Sequence, residues 1–260
     1  MPIRGTEEAD QGAHVIRGLY IAATGMLAES ARQDVIANNL ANVTTTGFKR
    51  DETTSETFGD LLVSSMGLPG TPVVGPLSLG AEVGGIVTID RQGALRATGN
   101  KLDVALAGEG WMTVEAQGGR RYTRDGQLQV DRSGRLLAGD GSALIGANGK
   151  PITVDPSSGP VSIAQDGTVT QDGTEKGTIR IVALDPASLR KEGSNLVDGT
   201  ETGAGAATVR QGYLEASNVN TVTEMVQLIE VMRAFEANQK AALAHSDTLQ
   251  EAVTKVGAVA

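Results

Sequence analysis

The chain has 260 residues, with 22 Lys and Arg against 31 Asp and Glu for a formal charge of −9, a balance that argues against nucleic acid and anionic membrane as partners. With no cysteine and only two histidines, it holds neither a disulfide framework nor a thiolate nucleophile and is poorly equipped for a transition-metal cluster. Aromatic residues make up 3% of the chain and glycine numbers 34, so the core is expected to be Val, Ile, Leu and Ala in a turn-rich, largely β framework.

Residues 1–16 are polar, mixed in charge and without periodicity, which predicts a disordered lead-in without the apolar run of a secretory signal. Over 17–46, Leu19, Ala22, Met26, Glu29, Gln33, Ile36, Leu40 and Val43 alternate steps of three and four, the mark of a helix that wants a partner along its length. Thr44, Thr45 and Thr46 disfavour its continuation, and Gly47 suits a left-handed cap. Residues 47–85, with Pro69, Pro72 and Pro76, read as an extended linker.

From 86 to 207, short apolar runs such as Leu102–Leu106, Trp111–Val114, Val161–Ile163 and Ile179–Val182 alternate with turn signals. Asp125-Gly126, Asp140-Gly141, Asn148-Gly149, Asp166-Gly167 and Asp172-Gly173 predict hairpins, and hence a central β-domain, either a small sandwich or an irregular barrel. Residues 208–218 form a return segment. Over 219–260, Leu228, Met232, Phe235, Gln239, Ala242, Ser246, Leu249, Val253 and Val256 step by four and three, a second long helix. The expected class is α+β: a mostly-β central domain with long N- and C-terminal α-helices that form a coiled-coil-like core on assembly. No run approaches the roughly 20 apolar residues of a membrane span, so membrane insertion is not expected.

The two stripes are natural partners for each other, for neighbouring copies, or for both. Leu19, Met26, Ile36, Leu40 and Val43 on the first helix and Leu228, Met232, Phe235, Leu249 and Val253 on the second are the candidate self-assembly residues. Glu29, Gln33, Gln239 and Ser246 interrupt the seams, so the ends are expected to be partly unfolded in a free monomer. Asn38, Asn39 and Asn42 crowd the end of the first helix, where buried amides would penalise wrong alignments; the alternative is that they face solvent near a fraying end.

Enzymatic readings find little purchase. His245-Ser246-Asp247 has the residue types of a hydrolase triad, but adjacent residues on one helix point in different directions. Gly108-Glu109-Gly110 fits a turn better than a phosphate loop, and the Asp-Gly turns lack EF-hand spacing. No catalytic, cofactor-binding or metal-binding residue is assigned, and no enzyme is expected. The alternative from a different class is a carbohydrate- or cell-wall-active β-domain with oligomerising helical ends, because carboxylates that pair only in space are invisible in a sequence.

Three separated segments resemble a known family. Gly18-Leu19-Tyr20 through Met26 with "DVIANNLANVTTTGFKR" resembles the N-terminal signature of the bacterial flagellar rod and hook proteins. "QGALRATGNKLDVALAGEGWMTV" and "RYTRDGQLQVDRSGRLL" are similar to that family's central β-domain, and "GYLEASNVNTVTEMVQLIEVMRAFEANQK" to its C-terminal signature. The likeness covers about residues 17 to 257 and implies an axial structural protein of the flagellar basal body, polymerising helically with copies of itself and with other rod and hook proteins. It further implies inner-wall terminal helices, an outer β-domain, and export through the flagellar type III apparatus without a cleaved signal. Within the family the chain is similar to the proximal rod type, with the distal rod type as alternative. It departs from the pattern in its sixteen-residue lead-in and in Trp111-Met112, where an aromatic pair is common.

Overall fold

The computed structural model describes residues 5–57, 60–62, 76–78, 81–193 and 195–257. The class is α+β, with helix α1 (Gly5–Ala41) and helix α2 (Thr221–Gly257) flanking a run of short strands. The chain divides into two compact units, one of residues 1–37, 52–86 and 225–260, the other of 38–51 and 87–224.

In the first unit the two helices run antiparallel, since Gly18 meets His245 and Gly25 meets Asn238. Ala22, Val35, Ile36 and Val231 are buried there. α1 starts at Gly5, inside the stretch expected as a disordered lead-in, because no proline interrupts the chain between residue 5 and its end at Ala41. The expected linker, 47–85, also contains regular structure. Asp51–Thr57, rich in threonine, pairs with Ala81–Thr88, and Asp60–Leu62 pairs antiparallel with Pro76–Ser78. The Pro69 and Pro72 part of that expectation lies outside the described residues.

The second unit is an antiparallel β assembly. Its largest sheet runs, in spatial order, through Arg190–Glu192, Leu196–Asp198, Gly119–Thr123, Trp111–Ala116, Ala143–Leu144, Leu136–Leu137 and Gln129–Val130, with Ile181–Leu184 joined to Trp111–Ala116 and Glu201–Ala204. Trp111–Val114 is buried on both faces: Met112 and Val114 enter one core with Leu106, Leu136, Leu144 and Val169, while Trp111 enters another with Tyr122, Val182 and Val197. Such a strand reads as a continuous run rather than an alternation. The return segment 208–218 is part of the fabric, since Thr208–Gln211 pairs with Val104–Ala107 and Tyr213–Glu215 with Leu95–Ala97.

Both helices have their ends finished inside this unit. The Asn220 side-chain oxygen accepts from the Val222 and Thr223 amides at 3.0 and 3.2 Å, an N-cap for α2. After α1, Gly47 takes φ +68° and donates to the Glu215 carbonyl at 2.9 Å, and a Cβ there would lie 2.4 Å from the Arg124 carbonyl carbon. Only glycine meets both conditions.

Candidate functional site

Within the first unit, the face that α1 turns toward α2 is chosen by size more than by apolarity. A methyl group on Gly18 would lie 2.5 Å from His245 Nε2, and one on Gly25 2.9 Å from Asn238 Nδ2. Each glycine is therefore a slot for a polar side chain seven residues from the next along either helix, the spacing of an antiparallel heptad seam. The packed stripe of α2 holds Val231, Asn238 and His245, where sequence periodicity pointed to Met232, Gln239 and Ser246. Leu228, Phe235, Ala242 and Leu249 of the predicted stripe are half-buried, and between them the glycines select Val231, Asn238 and His245.

This displacement sorts the predicted residues. Ile36 is buried, and Met26, Leu40, Val43, Leu228, Phe235 and Leu249 are half-buried. Leu19, Met232 and Val253 are exposed by 36%, 48% and 69%, outside the intrachain seam. Met225, Val226, Ile229 and Met232 form an exposed apolar strip at helical spacing on α2, and Tyr20, Ile21 and Leu27 are exposed on α1. His245 is half-buried while Ser246 and Asp247 are exposed, so the three do not converge.

The second unit contains a buried polar clasp. Asn39, 1% exposed, uses its whole amide: Oδ1 accepts from the Asp51 N–H at 3.0 Å, and Nδ2 donates to the Asp51 carbonyl at 2.9 Å and to Glu224 Oε2 at 3.2 Å. Glu224, equally buried in the first turn of α2, pairs with Arg50 Nε at 2.7 Å. Asn218 accepts from the Arg50 N–H at 2.7 Å and donates to the carbonyls of Ile89 and Arg91. The other two asparagines lie outside the clasp. Asn38 is exposed, and Asn42 finishes the helix end by donating to the Asn38 carbonyl at 2.9 Å and accepting from Thr45 Oγ1 at 3.2 Å.

A few residues on, Lys49 is buried with its Nζ 2.8 Å from Glu215 Oε1, 3.0 Å from the Arg91 carbonyl and 3.5 Å from Asp90. Glu215 also receives the Gly93 N–H at 2.9 Å and Arg124 Nη1 at 3.1 Å. Both cations lie near the Trp111 ring, Lys49 at 5.9 Å and Arg124 at 5.5 Å from its centroid, and the indole N–H donates to Asp90. Lys191 crosses the Phe48 ring at 3.7 Å and donates to the Lys49 carbonyl and, at 2.8 Å, to Asp51, whose other oxygen takes the Thr88 hydroxyl. Burial lowers the Lys49 and Lys191 pKa values, a loss that Glu215 and Asp51 respectively oppose.

The clasp sets four cations, Lys49, Arg50, Arg124 and Lys191, against four carboxylates, Asp51, Asp90, Glu215 and Glu224. Its charges balance, and it is closely hydrogen-bonded. What it can do is mechanical: it ties the end of α1 and the start of α2 to the β strands between them. Sequence reasoning found Asn39 but not Lys49, Arg124, Glu215 or Glu224, because charged residues alternating along a chain normally signal a solvated face.

Known proteins bear on the same segments. A family model described as "Flagella basal body rod protein" matches residues 19–49, one described as "Flagellar hook protein FlgE/F/G D1 domain" matches 105–171, and one described as "Flagellar basal body rod FlgEFG protein C-terminal" matches 210–254. The chain is 34% identical over 249 residues to the flagellar basal-body rod protein FlgF of Caulobacter vibrioides, covering 93% of this chain and 98% of the relative. It is 32% identical over 260 residues to FlgG of Bacillus subtilis (92% and 98% covered) and 34% identical over 267 residues to FlgG of Agrobacterium fabrum (92% and 99%). The outer family matches contain the two arms of the clasp, Asn39 and Lys49 in one, Glu215 and Glu224 in the other.

Proposed function

Because the chain belongs to the flagellar basal-body rod protein family, we propose that it is a structural subunit of the bacterial flagellar rod, stacking head to tail with copies of itself through its two terminal helices. As a rod component it resides in the flagellar basal body and serves motility by carrying load, and it assembles with other axial proteins of the flagellum. Export through the flagellar type III apparatus follows from the same reading. The observation that carries self-assembly is the exposed strip Met225, Val226, Ile229 and Met232 beside an intrachain seam already filled by glycine slots and polar knobs. An apolar helix face left open after the chain has packed on itself calls for a second chain, and a contact that does not close on itself produces a helical filament.

Between the two rod positions we assign the proximal one, on the stretches "GALRATGNKLDVALAGEGW" and "HSDTLQEAVTKVG". Relatives called FlgF and FlgG match this chain to the same degree, so the test is complementation, with restored motility in a bacterium lacking its proximal-type subunit, and not in one lacking its distal-type subunit, supporting the assignment and the reverse opposing it.

The assembly experiment is replacement of Met225, Ile229 and Met232 together by Ser, with sedimentation and negative-stain microscopy. The variant should remain a monomer with unchanged circular dichroism at concentrations where the parent forms filaments. Normal filaments from the variant would refute this interface.

A further inference from the structure

We propose that Lys49 and Asp90 condense, once the chain has folded, into an amide that crosslinks their side chains, with Glu215 relaying the proton. Lys49 Nζ, its side chain 1% exposed, faces three acceptors: Glu215 Oε1 at 2.8 Å, the Arg91 carbonyl at 3.0 Å and Asp90 Oδ1 at 3.5 Å. An ammonium has three N–H bonds to give. Once the one facing Asp90 is surrendered, the two that remain are held by Glu215 and the Arg91 carbonyl, and the lone pair is turned toward the Asp90 carboxyl. Burial lowers the Lys49 pKa, against the pull of Glu215, and so brings the free amine within reach.

The two oxygens of Asp90 are placed as such a reaction requires. Oδ1 is buried and accepts no hydrogen bond, while Oδ2 accepts the Trp111 indole N–H at 3.1 Å. In the step, the Lys49 ammonium passes a proton to Oδ1 and the amine attacks Cγ, where the charge developing on Oδ2 is met by the indole N–H. Glu215, held by the Gly93 N–H at 2.9 Å and by Arg124 at 3.1 Å, takes the second proton from the nitrogen and gives it to the Oδ1 hydroxyl, which leaves as water. One C–N bond forms, one C–O bond breaks, and an ammonium and a carboxylate become one amide and one water. The exchange removes a buried ammonium, whose desolvation weakens any ion pair it makes, and leaves Glu215 paired with Arg124. In a chain with no cysteine it joins residue 49 to residue 90 covalently, restricting the unfolded state as a disulfide would.

Intact-mass spectrometry of the full chain, sampled over time after cell-free synthesis and unfolded before injection, reads the bond directly. The parent, shown to be folded by Trp111 fluorescence, should become lighter than its sequence by one water, and fragmentation of a protease digest should place a branch between Lys49 and Asp90. Lys49→Arg, which keeps the charge without the nucleophile, and Asp90→Ala should both stay at the sequence mass. Asp90→Asn should lose ammonia in place of water. Glu215→Gln should slow the mass change by about a hundredfold or more. A folded parent that stays at its sequence mass would overturn the crosslink, and so would a water lost equally by Lys49→Arg, which would mark ring closure at an Asp-Gly turn instead. Glu215→Gln reacting at the parent rate would overturn the role of Glu215. Where a variant does not fold, the parent mass and the position of the branch decide.

Discussion

Glu215→Gln tests whether the clasp contributes to stability or merely decorates it. The carboxylate is 1% exposed and is shared by Lys49 at 2.8 Å and Arg124 at 3.1 Å, whose side chains are 1% and 2% exposed. The amide keeps one oxygen for Lys49 and the Gly93 N–H, but it turns an N–H toward Arg124, donor against donor, and leaves Asp90 as the carboxylate beside Lys49 and the Gly108 carbonyl as the acceptor beside Arg124. Breaking a buried pair by removing one partner costs about 3–5 kcal/mol, a fifth or more of the roughly 5–15 kcal/mol that holds a domain folded. Urea unfolding followed by Trp111 fluorescence reads this unit directly, because the only tryptophan of the chain lies beside both cations. With a slope of about 2 kcal/mol/M, the midpoint should fall by about 2 M at unchanged slope. A fall below about 0.5 M would mean that the two cations find water or other carboxylates at no cost, and the clasp would then carry no load.

Val231→Ala should cost on the order of 2 kcal/mol in the melting of the helical signal, because Val231 is 1% exposed, while Met232→Ala should cost under about 0.5 kcal/mol; equal effects would refute the one-residue displacement of the seam. Gly47→Ala should lower the melting temperature by several degrees, with about 2 kcal/mol or more lost to the positive φ and to the clash with Arg124, whereas a neutral outcome would show that the turn relaxes freely. Tyr122, raised to about 12 by burial and then by its hydrogen bond to Glu201, should supply the highest component of an ultraviolet phenolate titration, and Tyr122→Phe should remove it. Above about pH 10 the unfolded chain gives up this proton while the folded chain keeps it until about 12. Folding therefore takes up a proton across that window, and stability should decline as the pH rises through it, less so in the phenylalanine variant.

The architecture was largely legible because its signals are local. Apolar steps of three and four over 19–43 and 228–256 located both helices, and the Asp-Gly and Asn-Gly pairs located the turned middle. Along α2, Leu228, Phe235 and Leu249 are half-buried where the periodicity put them, while Val231 is buried beside the exposed Met232, because periodicity gives no weight to Gly18 and Gly25, whose importance lies in what they omit. The clasp was mostly illegible. Lys49 and Glu215 are 166 residues apart and Asn39 and Glu224 are 185 apart, and each charge becomes buried only because its partner arrives from the far end of the chain. No window of sequence contains both members, so Phe48-Lys49-Arg50-Asp51 reads as the start of an extended linker when it is the centre of a buried network.

The same separations set an order of events. Closing a loop of 185 residues in an unstructured chain costs about 4–5 kcal/mol of entropy, too much for one amide and one carboxylate to offset at the start. The hairpins between them, such as Trp111–Ala116 with Gly119–Thr123, close on neighbours and shorten the loop first. The β strands are therefore expected to form before the clasp. A chain emerging from the ribosome at about 5–20 residues per second holds α1 without a partner for roughly 10 to 40 s before residue 224 exists. During that interval Tyr20, Ile21, Leu27, Val35 and Ile36 are all accessible, which makes the first helix, although it is synthesised earliest, the last part of the molecule to be safe from the wrong neighbour.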